Sequence, residues 1–359
     1  MIAVVLGTRP EIIKMSPIIR HLQAADAPYI IVHTGQHYSK EMDLQFFEDL
    51  SLPIPDYNLR SGSGSHAEQT ARILVRSERL FRDIRPDLVL VQGDTTTVLA
   101  TALASAKLHL RIGHVEAGLR SGDRRMPEEI NRLLTDHLSS FLFAPTEVSR
   151  RNLIKEGISE SVIWVTGNTI VDAVHDSLAS SQEDKEVISS LDLTCNSYAM
   201  LTLHRQENVD DPERLQTIFL KLREVANAQG FRILFPVHPR TKKVIRRNDI
   251  DTDGIETLNP MGFHAFLRLE RGARIIFTDS GGVQEEACIL RVPCVTLREN
   301  TERPETLEIG ANILAGTDPE GIASATDAMI RSTRDWLNPF GDGCAGARIV
   351  DILLNSQSV

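Results

Sequence analysis

The sequence contains no apolar run approaching the ~20 residues that span a bilayer. Its opening, MIAVVLGTRPEI, lacks the basic flank and cleavage pattern of a secretory leader. Both absences predict a cytoplasmic protein with no membrane partner. Four cysteines, at 195, 288, 294 and 344, show no CxxC spacing and read as free thiols in a reducing compartment. No HExxH pair occurs among the eleven histidines, so no metal is expected. Walker A, a GxGxxG at a strand-to-helix turn and a GxSxG elbow are also missing, which disfavours ATP hydrolysis, a nicotinamide cofactor and a serine nucleophile. A net charge of −10 excludes a general nucleic-acid binder, which needs a basic surface to displace counterions. An anionic small ligand would need a local basic pocket in this acidic chain.

What is present is regular. The 359 residues suit two domains of ~150–200 residues each. Apolar runs (IAVVL, YIIVH, DLVLV, RIGHV, FLFAP and VIWVT, then AMLTL, RILFPV, RIIFT and PCVTL) alternate with amphipathic stretches such as 10–25, 66–84, 212–229 and 319–331. Buried strands alternating with helices predict parallel α/β sheets. Two such series, separated by a polar stretch around 181–197, predict two Rossmann-like parallel-sheet domains facing across a cleft. The SGSGSH run at 61–66 follows no strand directly and reads as a mobile loop.

In open sheets of this kind ligands collect at the carboxyl ends of the strands. The residues there are polar: Arg9 and Lys14 after the first run, then Asp94, then Glu116; in the second half His204, Arg205 and His238, the DSGG turn, Arg298 and Arg303. Turns are cheaply made from Gly, Asn or Ser, so functional groups at so many strand ends mark a site.

The run IIFTDSGGVQEEAC at 275–288 reads as a buried strand opening through Gly281 and Gly282 onto a helix. Main-chain N–H groups and the positive end of a helix dipole suit a phosphate there, and glycines admit close approach. Glu286 is expected in the first helical turn, placed for a ribose. The plainer alternative is a helix start capped by Ser280, with Glu285 and Glu286 complementing the dipole. Arg9, Lys14, Arg303 and His204 offer charge for a pyrophosphate. Taken singly, Lys14 reads as a solvated helix residue, Arg9 as a loop residue and Arg303 as a partner of Glu302 or Glu305.

Three carboxylates add acid–base chemistry. Asp94 and Glu116 follow strands, and Glu128 follows Pro127 in the first turn of a helix. Local roles are available to them: Asp94 as an N-cap, Glu128 as a dipole partner paired with Arg132 at i,i+4. If the three converge, mutual repulsion raises a pKa and yields both an acid and a base.

Taken together, GTRPEIIKM at 7–15, QGDTTT at 92–97, GHVEAGLRSGD at 113–123, MPEEINR at 126–132, HRQEN at 204–208, TDSGGVQEEA at 278–287, TERPE at 301–305 and NPFGDG at 338–343 resemble the non-hydrolysing UDP-N-acetylglucosamine 2-epimerases, in order, from residue 2 to about residue 355. The resemblance implies the two-lobed GT-B-like fold of many nucleotide-sugar glycosyltransferases. Its domains would be 1–170, carrying the carboxylates, and 171–344, carrying the UDP site, with a final helix over 345–359 packed back on the first. It further implies interconversion of UDP-GlcNAc and UDP-ManNAc, no cofactor or metal, and a homodimer. Matched by motif, Asp94, Glu116, Glu128 and His204 take the catalytic positions. Arg9, Lys14, Ser280, Gly281, Gly282, Glu286 and Arg303 take the UDP positions, with Phe266 and Met261 at the uracil. One departure stands out: HRQENVDD replaces the HRREN of many bacterial members, and Gln36-His37 continues as YSKEM, which puts allosteric activation by a second UDP-GlcNAc in doubt.

Overall fold

The computed structural model describes residues 1–36, 46–179, 191 and 193–356. His37, residues 38–42 and most of the polar stretch at 181–197 therefore lie outside the described residues. The chain divides into two compact units, Met1–Ala173 with Phe340–Val359, and Val174–Pro339.

Unit 1 is built on a parallel sheet of strands β1 (Ile2–Leu6), β2 (Tyr29–His33), β3 (Tyr57–Asn58), β4 (Leu88–Gln92), β5 (Arg111–Val115), β6 (Phe141–Ala144) and β7 (Ile163–Val165), in the order β3-β2-β1-β4-β5-β6-β7. Its central strands are apolar on both faces because helices cover both: β1 and β4 are buried throughout. The covering helices are α1 (Arg9–Ala24), α2 (His66–Ile84), α3 (Thr96–Lys107), α4 (Pro127–Leu138), α5 (Glu147–Lys155) and α6 (Thr169–Ala179). Residues 61–65 carry no regular structure, and Ser65 caps α2 by accepting from the Glu68 N–H at 3.3 Å. The two-residue β3 just before them is too short for any alternation to reveal.

Unit 2 holds β8 (Tyr198–Thr202), β9 (Arg232–Pro236), β10 (Ile255–Leu258), β11 (Ile275–Thr278), β12 (Cys294–Thr296) and β13 (Asn312–Leu314), also parallel, in the order β10-β9-β8-β11-β12-β13. Its helices are α7 (Gln206–Val209), α8 (Pro212–Gln229), α9 (Pro239–Arg247), α10 (Phe263–Gly272), α11 (Gly281–Ile289), α12 (Pro304–Glu308) and α13 (Pro319–Ile330). The last helix, α14 (Ala345–Asn355), packs on α1 in unit 1. A Cβ at Gly346 would lie 2.9 Å from the Pro17 Cβ, so glycine sets that approach. Asp172 caps the helix by accepting from the N–H of Ala345 at 3.2 Å and of Gly346 at 2.8 Å.

Each sheet has one point where strand order reverses, between β1 and β4 in unit 1 and between β8 and β11 in unit 2. Chain leaving neighbouring strands there diverges to opposite faces, which opens a crevice at the carboxyl ends.

Candidate active site

At the unit 1 reversal, β1 runs through Gly7 and Thr8 into α1, making Arg9 the first helical residue rather than a loop residue. The Arg9 guanidinium lies 4.7 Å from the centre of the Phe46 ring, a cation–π distance. Thr8 and Glu11 form a capping box, the T-x-x-E pattern that starts many helices. Glu11 Oε2 accepts from the N–H of Gly7 at 2.6 Å and of Thr8 at 2.8 Å, and Oε1 accepts from the Thr95 hydroxyl. One carboxyl thus ties together the turns after β1 and β4. Burial pushes it up to about 7, against the downward pull of those hydrogen bonds.

Lys14 is buried, not solvated. Its Nζ donates to Glu116 Oε2 at 2.7 Å, and Gln92 Nε2 donates to the same oxygen. Glu116 has φ +70, in the left-handed region that non-glycine residues rarely adopt. Phe143 holds it there, its carbonyl accepting from the N–H of both Glu116 and Ala117 at 3.1 Å.

Asp94 does not cap α3; Thr95, one residue closer to the helix, does. The Asp94 carboxylate is free to face α4, where Arg132 donates to Oδ2 from Nε at 3.0 Å and Nη2 at 2.6 Å. Asn131 fixes the Asp94 carbonyl at 2.8 Å. The expected Glu128 to Arg132 pair is absent among the described residues; Arg132 Nη1 donates to Glu129 Oε2 at 2.6 Å. Burial would raise the Glu129 carboxyl, but the N–H groups of Ser121 and Gly122 and the charge of Arg132 hold it below the ordinary glutamate range. Glu128 sits three and four residues before Asn131 and Arg132, on the same helical face. It is half-buried and has no hydrogen bond or ion pair among the described residues.

Asp94 and Glu116 therefore each meet a cation, Arg132 and Lys14, which takes the place of the mutual repulsion expected of converging carboxylates. Behind them, the His114 ring contacts Asp136. Burial would raise the Asp136 carboxyl, yet His114 and Arg120 hold it below the usual aspartate range.

At the unit 2 reversal, His204 follows β8 and the DSGG turn follows β11. Asp279, fully buried, joins them: Oδ1 and Oδ2 accept from the His204 N–H at 3.1 and 3.2 Å, and Oδ2 accepts from Arg205 N at 3.0 Å and Asn208 Nδ2 at 3.2 Å. The His204 ring Nδ1 lies 3.1 Å from Asp279 Oδ1, with the ring partly in solvent. Burial would raise Asp279; His204, the Arg205 N–H and Asn208 win and hold it low.

Ser280 caps α11, accepting from Val283 N at 3.5 Å. Gly281 is the first helical residue, and a Cβ on it would come within 2.5 Å of Glu302 Oε1, so protein rather than ligand crowds that position. Gly282 is open by comparison, with Ser280 Oγ 3.8 Å from a Cβ placed there. No acidic residue lies in the first turn: counting from Gly281, Glu286 is sixth and buried in the second turn, which corrects its expected place. Arg303 Nε pairs with the buried Glu285, and its Nη1 donates to the Glu302 carbonyl at 3.4 Å. Glu302 also meets Arg298 at 2.9 Å and Arg205 at 3.2 Å. Phe266 and Met261 pack on the cluster of Met200, Leu234 and Val283 while remaining partly exposed.

Glu11, Gln92 and Asp279 are polar residues at these strand ends to which the sequence reading gave no role, and Arg132 and Glu285 had only local ones. Glu11 carried a legible signal in its capping box; the other partners lie far off in sequence.

Comparison with known proteins gives the family and the fold. The family model for UDP-N-acetylglucosamine 2-epimerase matches residues 20–354. A UDP-N-acetylglucosamine 2-epimerase of Methanocaldococcus jannaschii is 52% identical, covering 98% of each chain. The crystal structure of the M. jannaschii UDP-GlcNAc 2-epimerase in complex with UDP-GlcNAc and UDP superposes with TM-score 0.94 at 52% identity, over 99% of each chain. A UDP-2,3-diacetamido-2,3-dideoxy-D-glucuronate 2-epimerase of Pseudomonas aeruginosa is 39% identical over 98% of this chain and 99% of its own. The two parallel-sheet units are of the GT-B-like kind. On matches of this length and identity, the chain belongs to the UDP-N-acetylglucosamine 2-epimerase family.

Proposed function

We propose that this enzyme interconverts UDP-GlcNAc and UDP-ManNAc without net hydrolysis, in the cytoplasm, supplying ManNAc-derived sugars for surface polysaccharide. The C2 proton of the sugar lies beside no carbonyl and is not acidic. When the C1–O bond breaks, UDP leaves with the electron pair and the anomeric carbon gains oxocarbenium character. A base then removes the C2 proton to give a glycal. UDP adds back at C1 while an acid protonates C2 from the opposite face.

Unit 1 supplies the proton chemistry. Asp94, Glu116 and Glu128 are assigned as the acid–base groups, and the Lys14–Glu116 pair is the observation that carries the reading, since it holds a buried carboxylate and its counter-charge 2.7 Å apart at the end of β5. Lys14 thereby serves Glu116, where motif matching assigned it to UDP. Unit 2 supplies the nucleotide site. Ser280, Gly281 and Gly282 open α11 toward a phosphate, Glu286 takes the ribose, Phe266 and Met261 the uracil, and His204 and Arg303 the leaving diphosphate. The motif match assigns Arg9 to UDP as well. The reading against hydrolysis rests on GTRPEIIKM where hydrolysing relatives begin GTRADY. Dimerisation is supported by Ile130 and Leu134 on α4, exposed at 45% and 49%, opposite the face that meets Asp94.

Proton NMR with UDP-GlcNAc in D2O tests the whole proposal. UDP-ManNAc carrying deuterium at C2, with no free sugar, is the expected result. Free ManNAc and UDP would move the enzyme to the hydrolysing class. The identity to the diacetamidoglucuronate enzyme makes that UDP-sugar the second substrate to offer; turnover of it alone would reassign the sugar and leave the chemistry standing.

A further inference from the structure

The His114 ring on β5 is fully buried and has a partner at each nitrogen. Nδ1 lies 2.6 Å from Asp136 Oδ1, and Nε2 lies 2.7 Å from the main-chain oxygen of Gly93. A carbonyl oxygen can only accept, so Nε2 donates to Gly93. Asp136 is surrounded by donors, its Oδ2 accepting from Arg120 Nη2 at 2.7 Å and Gly118 N at 3.2 Å. Arg120 also grips Glu156 through Nε at 2.7 Å and Nη2 at 2.6 Å, and His137 stands 4.0 Å from Glu156 on the outside.

We infer that the buried His114 ring, anchored at Nδ1 by Asp136, clamps the Gly93 carbonyl from Nε2 and so orients the turn bearing Asp94. The Gly93 oxygen and the Asp94 nitrogen belong to one rigid peptide plane. Holding that oxygen therefore sets the direction in which the chain enters Asp94. The same glycine is gripped from its other side, its N–H donating to the Val115 carbonyl at 3.1 Å, and its φ of +82 suits only this turn. His114 is a positioning residue, since its contacts are with Asp136 and Gly93.

The inference rests on the reading that Asp94 acts on the sugar, so the bond and its role are tested apart. The bond is read by 15N NMR of histidine-labelled wild-type protein: His114 Nε2 should carry a proton, assigned by its loss in His114→Gln. An unprotonated Nε2 overturns the clamp, whatever the enzyme turns over. For the role, His114→Gln should lower kcat about 10- to 100-fold, the cost of a small misplacement of a reacting group, while KM and UDP affinity stay within a few fold. Unchanged kcat in a folded variant overturns the clamp. Should that variant fail to fold, the wild-type spectrum still decides the bond, with the ring recognised by an N–H proton slow to exchange, and Asp136→Asn is expected to show the same split between kcat and KM.

Discussion

The two units place polar groups at the same topological point yet hold charge in different ways. In unit 1, Glu116 and Asp94 meet side-chain cations, Lys14 and Arg132, brought from 102 and 38 positions away in sequence. In unit 2, Asp279 is held by the His204 ring, by the main-chain N–H groups of His204 and Arg205, and by the Asn208 amide. A side-chain counter-charge can take up or lose interaction as a carboxylate gains and loses a proton, which suits acid–base work. Main-chain donors are fixed in geometry and number, which suits a site that holds one anion throughout a reaction. Under the proposed mechanism, unit 1 is the reactive half and unit 2 the gripping half.

The most severe way to break this contrast is to neutralise the unit 1 carboxylates. Asp94→Asn and Glu116→Gln should each reduce kcat by about 10²–10⁴, the usual weight of general acid–base catalysis, with UDP affinity kept within a few fold by calorimetry. Wild-type turnover in both would remove the distinction between the halves.

Removing a cation probes the same pair from its other side. Lys14→Met leaves Glu116 buried without its ammonium, and breaking a buried pair this way costs about 3–5 kcal/mol, read as a lower urea midpoint. No shift would mean that the pairing is incidental.

Glu11 sharpens the comparison through pH. Its carboxyl is raised from 4.5 to about 7 in the folded protein, so folding favours the neutral form. The stabilisation is full below 4.5 and is lost as pH rises toward about 7. The integrated change is about 3 kcal/mol by linkage. Wild-type stability should therefore fall relative to Glu11→Gln across that window; parallel pH profiles of the two unfolding midpoints would sink the assignment.

The smallest expected effect lies in unit 2. Arg303→Ala should weaken UDP binding and also cost about 1–3 kcal/mol of stability, because buried Glu285 loses its partner. Adding Glu285→Gln should restore the stability but not the affinity. If the double variant recovers both, Arg303 is structural and the diphosphate is held elsewhere.

Alternating apolar runs and amphipathic stretches were enough to predict two parallel sheets, because both signals are local and repeat every two or 3.6 residues. The turn residues were equally legible: Pro127 at a helix start, Ser280 as a cap, and polar residues placed after strands. Strand order was not, and with it the two reversal points that gather Arg9 with Asp94 and His204 with Ser280. The partners of the charges were hidden for the same reason. Glu116 could be read as a strand-end carboxylate, but not that Lys14 and Gln92 would share one of its oxygens. Glu128 looked like the natural partner of Arg132 at helical spacing until α4 was laid against the end of β4, where Asp94 offered a better one. Local spacing decides which pairs are possible along a helix or a strand. The choice among them depends on packing between elements far apart in the chain, because a buried charge is tolerable only where a distant segment brings its counter-charge within hydrogen-bond reach.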